Sequence, residues 1–163
     1  MKQLILVRHA KSSWSDMFLA DIDRPLNARG KRNAPFMAQK VKEKIEEIDV
    51  FLVSPAKRAR KTAKKFYKLY PNSEWNIVEN IYEAYTDELE DVIYSIPPEI
   101  NSAIMFGHNP GFTSFTNRYA HQMIDNLPTC GVVFISFEGD RWNTFHPTNA
   151  HVTEIIYPKL FGE

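Results

Sequence analysis

Short β-like runs alternating with helical periodicities predict a three-layer α/β/α fold around a mostly parallel central sheet. Leu4-Ile5-Leu6-Val7, Val50-Phe51-Leu52-Val53 and Ala103-Ile104-Met105-Phe106 are unbroken apolar runs. That is the pattern of strands buried on both faces of a parallel sheet. Between them, apolar residues recur at three- and four-residue steps, as on one face of a helix.

Taken in order, Ala34, Met37, Val41, Ile45 and Ile48 mark a first helix, which Pro35 is expected to kink or interrupt. Ala56, Ala59, Ala63, Phe66 and Tyr70 mark a second, with Ser54 and Pro55 read as its N-cap and first helical residue. Leu89, Val92 and Ile96 define a third, which Thr86, Asp87 and Glu88 suit as a start. Phe112, Phe115, Tyr119 and Met123 define a fourth. Val132-Val133-Phe134-Ile135-Ser136-Phe137 reads as a fourth strand, and Ile77-Val78 as a short fifth. No repeat or low-complexity linker divides the chain, so residues 1–163 are expected to form one α/β domain.

Composition narrows the function classes. A hydrophobic fraction of 44% and a charged fraction of 25% are those of a globular domain. Twenty basic and twenty acidic side chains cancel, which argues against a general nucleic-acid binder. Cys130 is the only cysteine, so neither an intramolecular disulfide nor a CxxC metal site is available. The apolar run near Met1 is too short for a signal-peptide core, and none approaches the roughly 20 residues that cross a bilayer. A cytoplasmic protein with no membrane partner is expected.

In open α/β sheets, ligands bind beyond the carboxyl ends of the strands. The chemically interesting residues fall there. The first strand runs into Arg8-His9-Ala10, the second into Ser54-Pro55-Ala56-Lys57-Arg58, and the third long apolar run into Gly107-His108-Asn109-Pro110-Gly111. Two arginines and two histidines gathered at one sheet edge would form a cationic pocket. Guanidinium groups match phosphate oxygens in a two-pronged geometry. A neutral imidazole, with an ordinary pKa of about 6.5, can attack phosphorus near neutrality. Gly107 and Gly111 are read as permitting tight turns around His108.

Each residue alone has a plainer reading. Arg8-His9 could cap strand-end carbonyls, Arg58 could be one solvated cation among Lys57, Arg60, Lys61, Lys64 and Lys65, and His108 could brace its loop. The conjunction at three strand ends favours a phosphoryl site. His121, His146 and His151 show no metal-ligand spacing, and no paired-Asp motif is present, so no metal and no other cofactor is expected. Cys130 reads as a small buried side chain, Arg60 as a surface residue, and the segment from Asn126 to Gly131 as a connecting loop or a pocket rim.

These segments resemble the motifs of the histidine phosphatase superfamily, the phosphoglycerate mutase-like fold. Arg8-His9-Ala10 is similar to the family's Arg-His-Gly. Ser54-Pro55-Ala56-Lys57-Arg58-Ala59-Arg60-Lys61-Thr62-Ala63 is similar to its Ser-Pro-x-x-Arg-Ala-x-x-Thr-Ala. Pro25-Leu26-Asn27-Ala28-Arg29-Gly30 resembles its Pro-Leu-Thr-x-x-Gly, and Gly107-His108-Asn109-Pro110 its third motif. The similarity extends from residue 4 to about residue 118. The short chain and the alanine at position 10 resemble the SixA-like branch of phosphohistidine phosphatases.

The resemblance implies that His9 is the nucleophile and becomes phosphohistidine. It implies that Arg8, Arg58 and His108 bind the phosphoryl oxygens, and that Glu83, in Ile81-Tyr82-Glu83-Ala84, supplies the general acid. The expected partner is a phosphorylated protein bearing phosphohistidine, met in a shallow pocket. The alternatives are a small phosphorylated molecule as substrate, or a non-catalytic phosphate-binding module. Two positions depart from mutase relatives, which read Arg-His-Gly-Glu-Ser-x-Trp-Asn. Lys11 replaces the acid, and Ser15 replaces an asparagine that holds phosphate. Ser12 and Ser13 suit either phosphate contact or turn formation, and Trp14 either the pocket or the core.

Overall fold

A computed structural model describes residues 1–163. Its elements are β1 (Lys2–Arg8), α1 (Ala28–Lys44), β2 (Val50–Val53), α2 (Lys57–Tyr67), β3 (Glu74–Ile77), α3 (Thr86–Tyr94), β4 (Ser102–Gly107), α4 (Gly111–Tyr119), β5 (Val132–Phe137) and β6 (Ala150–Ile156). One six-stranded sheet has the order β3-β2-β4-β1-β5-β6. β3, β2, β4 and β1 run parallel, whereas β5 is antiparallel to β1 and β6 antiparallel to β5.

Alternation along the strands builds the three layers. Ile5, Val7, Phe51, Val53, Ile104 and Phe106 pack on one face against Met37 and Val41 of α1 and Phe66 of α2. Leu4, Leu6, Leu52 and Met105 point to the other face, against Leu89 and Ile93 of α3 and Phe115 of α4. Each side chain fully buried in these layers contributes roughly 1.5–3 kcal/mol. No helix is long and apolar enough to cross a membrane.

Several boundaries differ from expectation. α1 starts at Ala28, where the Asn27 side chain accepts from the Gly30 N–H at 2.9 Å. It continues through Pro35 without a break. Pro35 and Lys31, whose carbonyl loses its helical partner, are both exposed, so water can satisfy that oxygen. α2 starts at Lys57, three residues after Ser54, whose hydroxyl is engaged elsewhere. β6 was not anticipated, because an edge strand with one wet face carries the mixed sequence Ala150-His151-Val152-Thr153-Glu154-Ile155-Ile156. β3 is also an edge strand and lies slightly earlier than Ile77-Val78.

Gly107 and Gly111 are needed for clearance, since neither has a positive φ. A Cβ on Gly107 would lie 2.6 Å from the Phe112 ring, and one on Gly111 only 1.9 Å from the Ala84 carbonyl oxygen. Backbone cannot yield as a side-chain tip can. Gly111→Ala is therefore expected to destabilise the protein by about 2 kcal/mol or more, read as a lower denaturant midpoint.

Candidate active site

β4 lies between β1 and β2, with Arg8 paired to Gly107 and Phe106 paired to both Val7 and Val53. That register brings His9, Ser54 and His108 out side by side at the carboxyl edge. They adjoin a cavity of about 440 Å³ lined by Arg8, His9, Arg58, Glu83 and His108. All five residues expected from the sequence meet there.

The His9 and His108 ring centroids are 5.3 Å apart. His9 Nδ1 lies 2.8 Å from the Ala10 carbonyl oxygen. A carbonyl only accepts, so Nδ1 carries the proton and Nε2 keeps its lone pair. The His9 N–H donates to the Gly107 carbonyl at 3.0 Å. Next along, the Ala10 N–H donates to Thr62 Oγ1 at 2.9 Å, and the Thr62 hydroxyl donates to the Arg58 carbonyl at 2.8 Å. These bonds tie the end of β1 to α2 and hold the nucleophile candidate beside Arg58.

Burial pushes the His9 pKa well below its ordinary value, against the opposing hydrogen bond to Ala10 and with help from His108, Arg58 and Arg8. Burial, and then the positive charge of Arg58, brings His108 down to about 3. Both rings are neutral at pH 7. The pocket's positive charge therefore comes from Arg8, Arg24, Arg58 and Lys11, which corrects the expectation of a site made cationic partly by histidines. His108 Nε2 shares a 2.7 Å hydrogen bond with Ser54 Oγ, and its Nδ1 is buried without a partner.

Arg8 donates from Nη1 to the Leu127 carbonyl at 2.9 Å, and Arg58 from Nη1 and Nη2 to the Asp21 carbonyl and carboxylate at 2.7 and 3.0 Å. The Nε atoms of both arginines are buried and unpaired. Donors left this way are costly until an acceptor arrives, and an oxyanion with several oxygens supplies such acceptors.

Asp21, Arg24 and Tyr82 also line the cavity and were missed. Burial opposes ionisation of Asp21, but the Tyr82 hydroxyl, donating at 2.6 Å, and the Arg58 and Arg24 guanidiniums outweigh it and hold its pKa at about 2. Arg24 donates to Ser12 Oγ at 2.8 Å and lies 3.6 Å over the Trp14 ring. The available signal was position: Asp21-Ile22-Asp23-Arg24 immediately precedes the Pro25-Leu26 motif.

The remaining candidates separate cleanly. Trp14 is exposed and lines the cavity, so it is not a core residue. Ser12 lines the cavity, whereas Ser13 and Ser15 bond to each other outside it. Glu83 sits exposed on the rim with φ at 58°, a conformation that costs a non-glycine residue about 1 kcal/mol. Asn109 braces its loop through the Leu127 carbonyl and Thr113. Thr129 lines the cavity, so the segment around it is both connection and rim. Arg60 is half-buried, donating to the Pro55 carbonyl at 2.9 Å, where a surface residue was expected. Cys130 is fully buried, which pushes its thiol pKa up and leaves it inert as a nucleophile. His121, His146 and His151 are exposed and lie outside the cavity. No group of three or more His, Cys, Asp or Glu side chains is placed to hold a metal ion.

Residues 4–103 match the histidine phosphatase superfamily, branch 1. The chain belongs to this superfamily. This histidine phosphatase is similar in fold to the protein histidine phosphatase SixA solved with tungstate, at a TM-score of 0.82 and 18% identity over 98% of this chain and 99% of that one. It is likewise similar to a presumed phosphohistidine phosphatase SixA of Nakamurella multipartitia, at a TM-score of 0.85 and 20% identity over 96% of both chains. In sequence it is 29% identical to an uncharacterised protein of Mycobacterium leprae (strain TN), over 94% of this chain and all of that protein.

The depressed histidines have a signed consequence for this histidine phosphatase. Unfolded His108 takes up a proton near pH 6.5, whereas folded His108 does so only near pH 3. The unfolded state thus binds more protons in that window, so stability is full above pH 6.5 and falls on acidification. Melting temperature is expected to drop from pH 6.5 to 4, and less steeply in His108→Gln. Equal slopes would contradict the assignment. In the wild type, ¹⁵N spectra should show His9 Nε2 unprotonated at pH 6.5, where a free imidazole is half protonated.

Proposed function

We propose that this histidine phosphatase hydrolyses phosphohistidine in a protein, through a covalent phosphohistidine on His9, as a single-domain cytoplasmic enzyme that needs neither metal nor cofactor. The reading is carried by one observation: a neutral His9 whose proton is pinned on Nδ1, so that Nε2 is the nucleophilic nitrogen at an arginine-lined cavity. Arg8, Arg58 and His108 are assigned to the phosphoryl oxygens, and the charge that spreads onto those oxygens in the transition state is what the guanidiniums stabilise.

In the first step the Nε2 lone pair forms a bond to phosphorus while the substrate's P–N bond breaks and its electron pair leaves on the substrate imidazole. Water then attacks the phosphorus on His9, releases phosphate and returns the lone pair to Nε2. One proton is delivered to the leaving group, and Glu83 on the rim is assigned that role. A departing imidazole needs such help less than an alkoxide does.

Several features support a protein substrate. The cavity of about 440 Å³ opens among the exposed rings of Trp14 and Tyr85, an entrance that a protein side chain can reach. The fold likeness to SixA spans nearly the whole chain, and two-step covalent transfer is the chemistry this site favours.

Brief mixing with labelled phosphoramidate or a phosphohistidine peptide is expected to trap an acid-labile, base-stable adduct on the wild type and none on His9→Ala, which also loses turnover. Undiminished hydrolysis by His9→Ala would sink the mechanism. Turnover of sugar phosphates with none of the peptide would keep the mechanism and replace the substrate.

Glu83→Gln provides a second measurement. It is expected to lower kcat/KM on phosphoserine by on the order of 10²-fold, and on a phosphohistidine peptide by less than about tenfold. Losses of equal size would remove the argument that the leaving group is an imidazole.

A further inference from the structure

Six lysines share a hollow of about 480 Å³ beside the active site. Lys57, Lys61, Lys64 and Lys68 recur at four- and three-residue steps along α2 and its end, which sets them on one ridge. Lys65 flanks that ridge, and Lys31 of α1 lines the same hollow. Pro25 and Leu26 complete the lining. No carboxylate lines it, and none of the six lysines takes part in an ion pair. α2 contains no acidic residue at all, so like charges repel along the helix with nothing on it to offset them. In a chain of zero net charge, this concentrates positive potential on one face.

The hollow adjoins the catalytic cavity. Ser12 and Leu26 pair across a single bridge, and Ser12 lines the cavity while Leu26 lines the hollow. Lys57 is the immediate neighbour of Arg58. Eleven residue steps from Lys57 to Lys68 span about 16 Å at roughly 1.5 Å each, which matches about five residues of extended peptide. A single small anion is too short to engage the ridge. Lysines, as point charges on flexible stems, suit a run of carboxylates better than one bidentate oxyanion. The lining offers no aromatic ring for base stacking, which disfavours a single-stranded nucleic acid.

We propose that this hollow docks an acidic segment of the phosphorylated protein substrate, steering its phosphohistidine into the adjacent cavity. The proposal rests on the phosphohistidine reading above, and the test separates the two.

Two phosphohistidine peptides are compared, one carrying five glutamates joined through a Gly-Ser linker and one carrying five glutamines. The wild type is expected to show a kcat/KM about tenfold higher for the acidic peptide, a preference that shrinks as ionic strength rises and the Debye length contracts below about 10 Å. The triple variant Lys61→Glu, Lys64→Glu, Lys68→Glu should lose the preference while turning over phosphoramidate at the wild-type rate. Equal kcat/KM for both peptides on the wild type would overturn the proposal, as would a preference that survives charge reversal. Fluorescence anisotropy with labelled, unphosphorylated pentaglutamate gives a readout independent of His9. Binding to the wild type and not to the triple variant supports the docking surface even where phosphohistidine turnover fails, in which case only the substrate reading falls. Absence of binding, or displacement of the peptide by a single-stranded oligonucleotide of equal charge at lower concentration, would overturn it.

Discussion

The parallel pairing of β1, β4 and β2 is the constraint on which the site depends. Its register places Arg8 against Gly107 and Phe106 against both Val7 and Val53. Residues separated by about fifty positions at each step therefore leave the sheet together. A slip of one residue would turn each strand's side chains to the opposite face and unseat them from the helices they interlock with, so close packing on both sides locks the register. The layers of α1 and α2 on one face and α3 and α4 on the other thus position the chemistry as well as stabilise the domain.

Given that placement, burial decides the charge state. His9 and His108 are held neutral because their cationic forms would be desolvated among arginines. Neutrality is what a nucleophilic imidazole requires, and the Ala10 carbonyl selects the tautomer. Asp21 complements this arrangement by holding Arg58 and Arg24 in place through a carboxylate that stays ionised. The same sheet edge therefore contains neutral bases, fixed cations and one fixed anion, each maintained by its neighbours.

Much of this was legible in the amino-acid order. Four apolar runs became β1, β2, β4 and β5, because continuous burial leaves a continuous apolar signature. Arg8, His9, Arg58, Glu83 and His108 all reached the cavity. β6 and β3 were missed or displaced because edge strands keep one wet face and lose that signature. Asp21, Arg24 and Tyr82 were missed because their roles arise from contacts across the fold, such as that between Tyr82 and Asp21. Ser54 was misread as a helix cap, since a local rule cannot register that His108, 54 residues later, takes its hydroxyl. The glycines were read as turn formers when their task is clearance against Phe112 and Ala84.

Periodicity and strand-end position by themselves pointed to the fold class and to Arg8, His9, Arg58 and His108, and the motif resemblance added the family and Glu83 on the rim. Those properties are written locally, in runs of a few residues whose burial pattern or chemistry is self-contained. Tertiary structure decided the protonation of His9 and His108, the ion pairs of Asp21 and the contiguity of the lysine hollow with the cavity. Each of those depends on desolvation or on distance between segments remote in the chain, which no local pattern encodes.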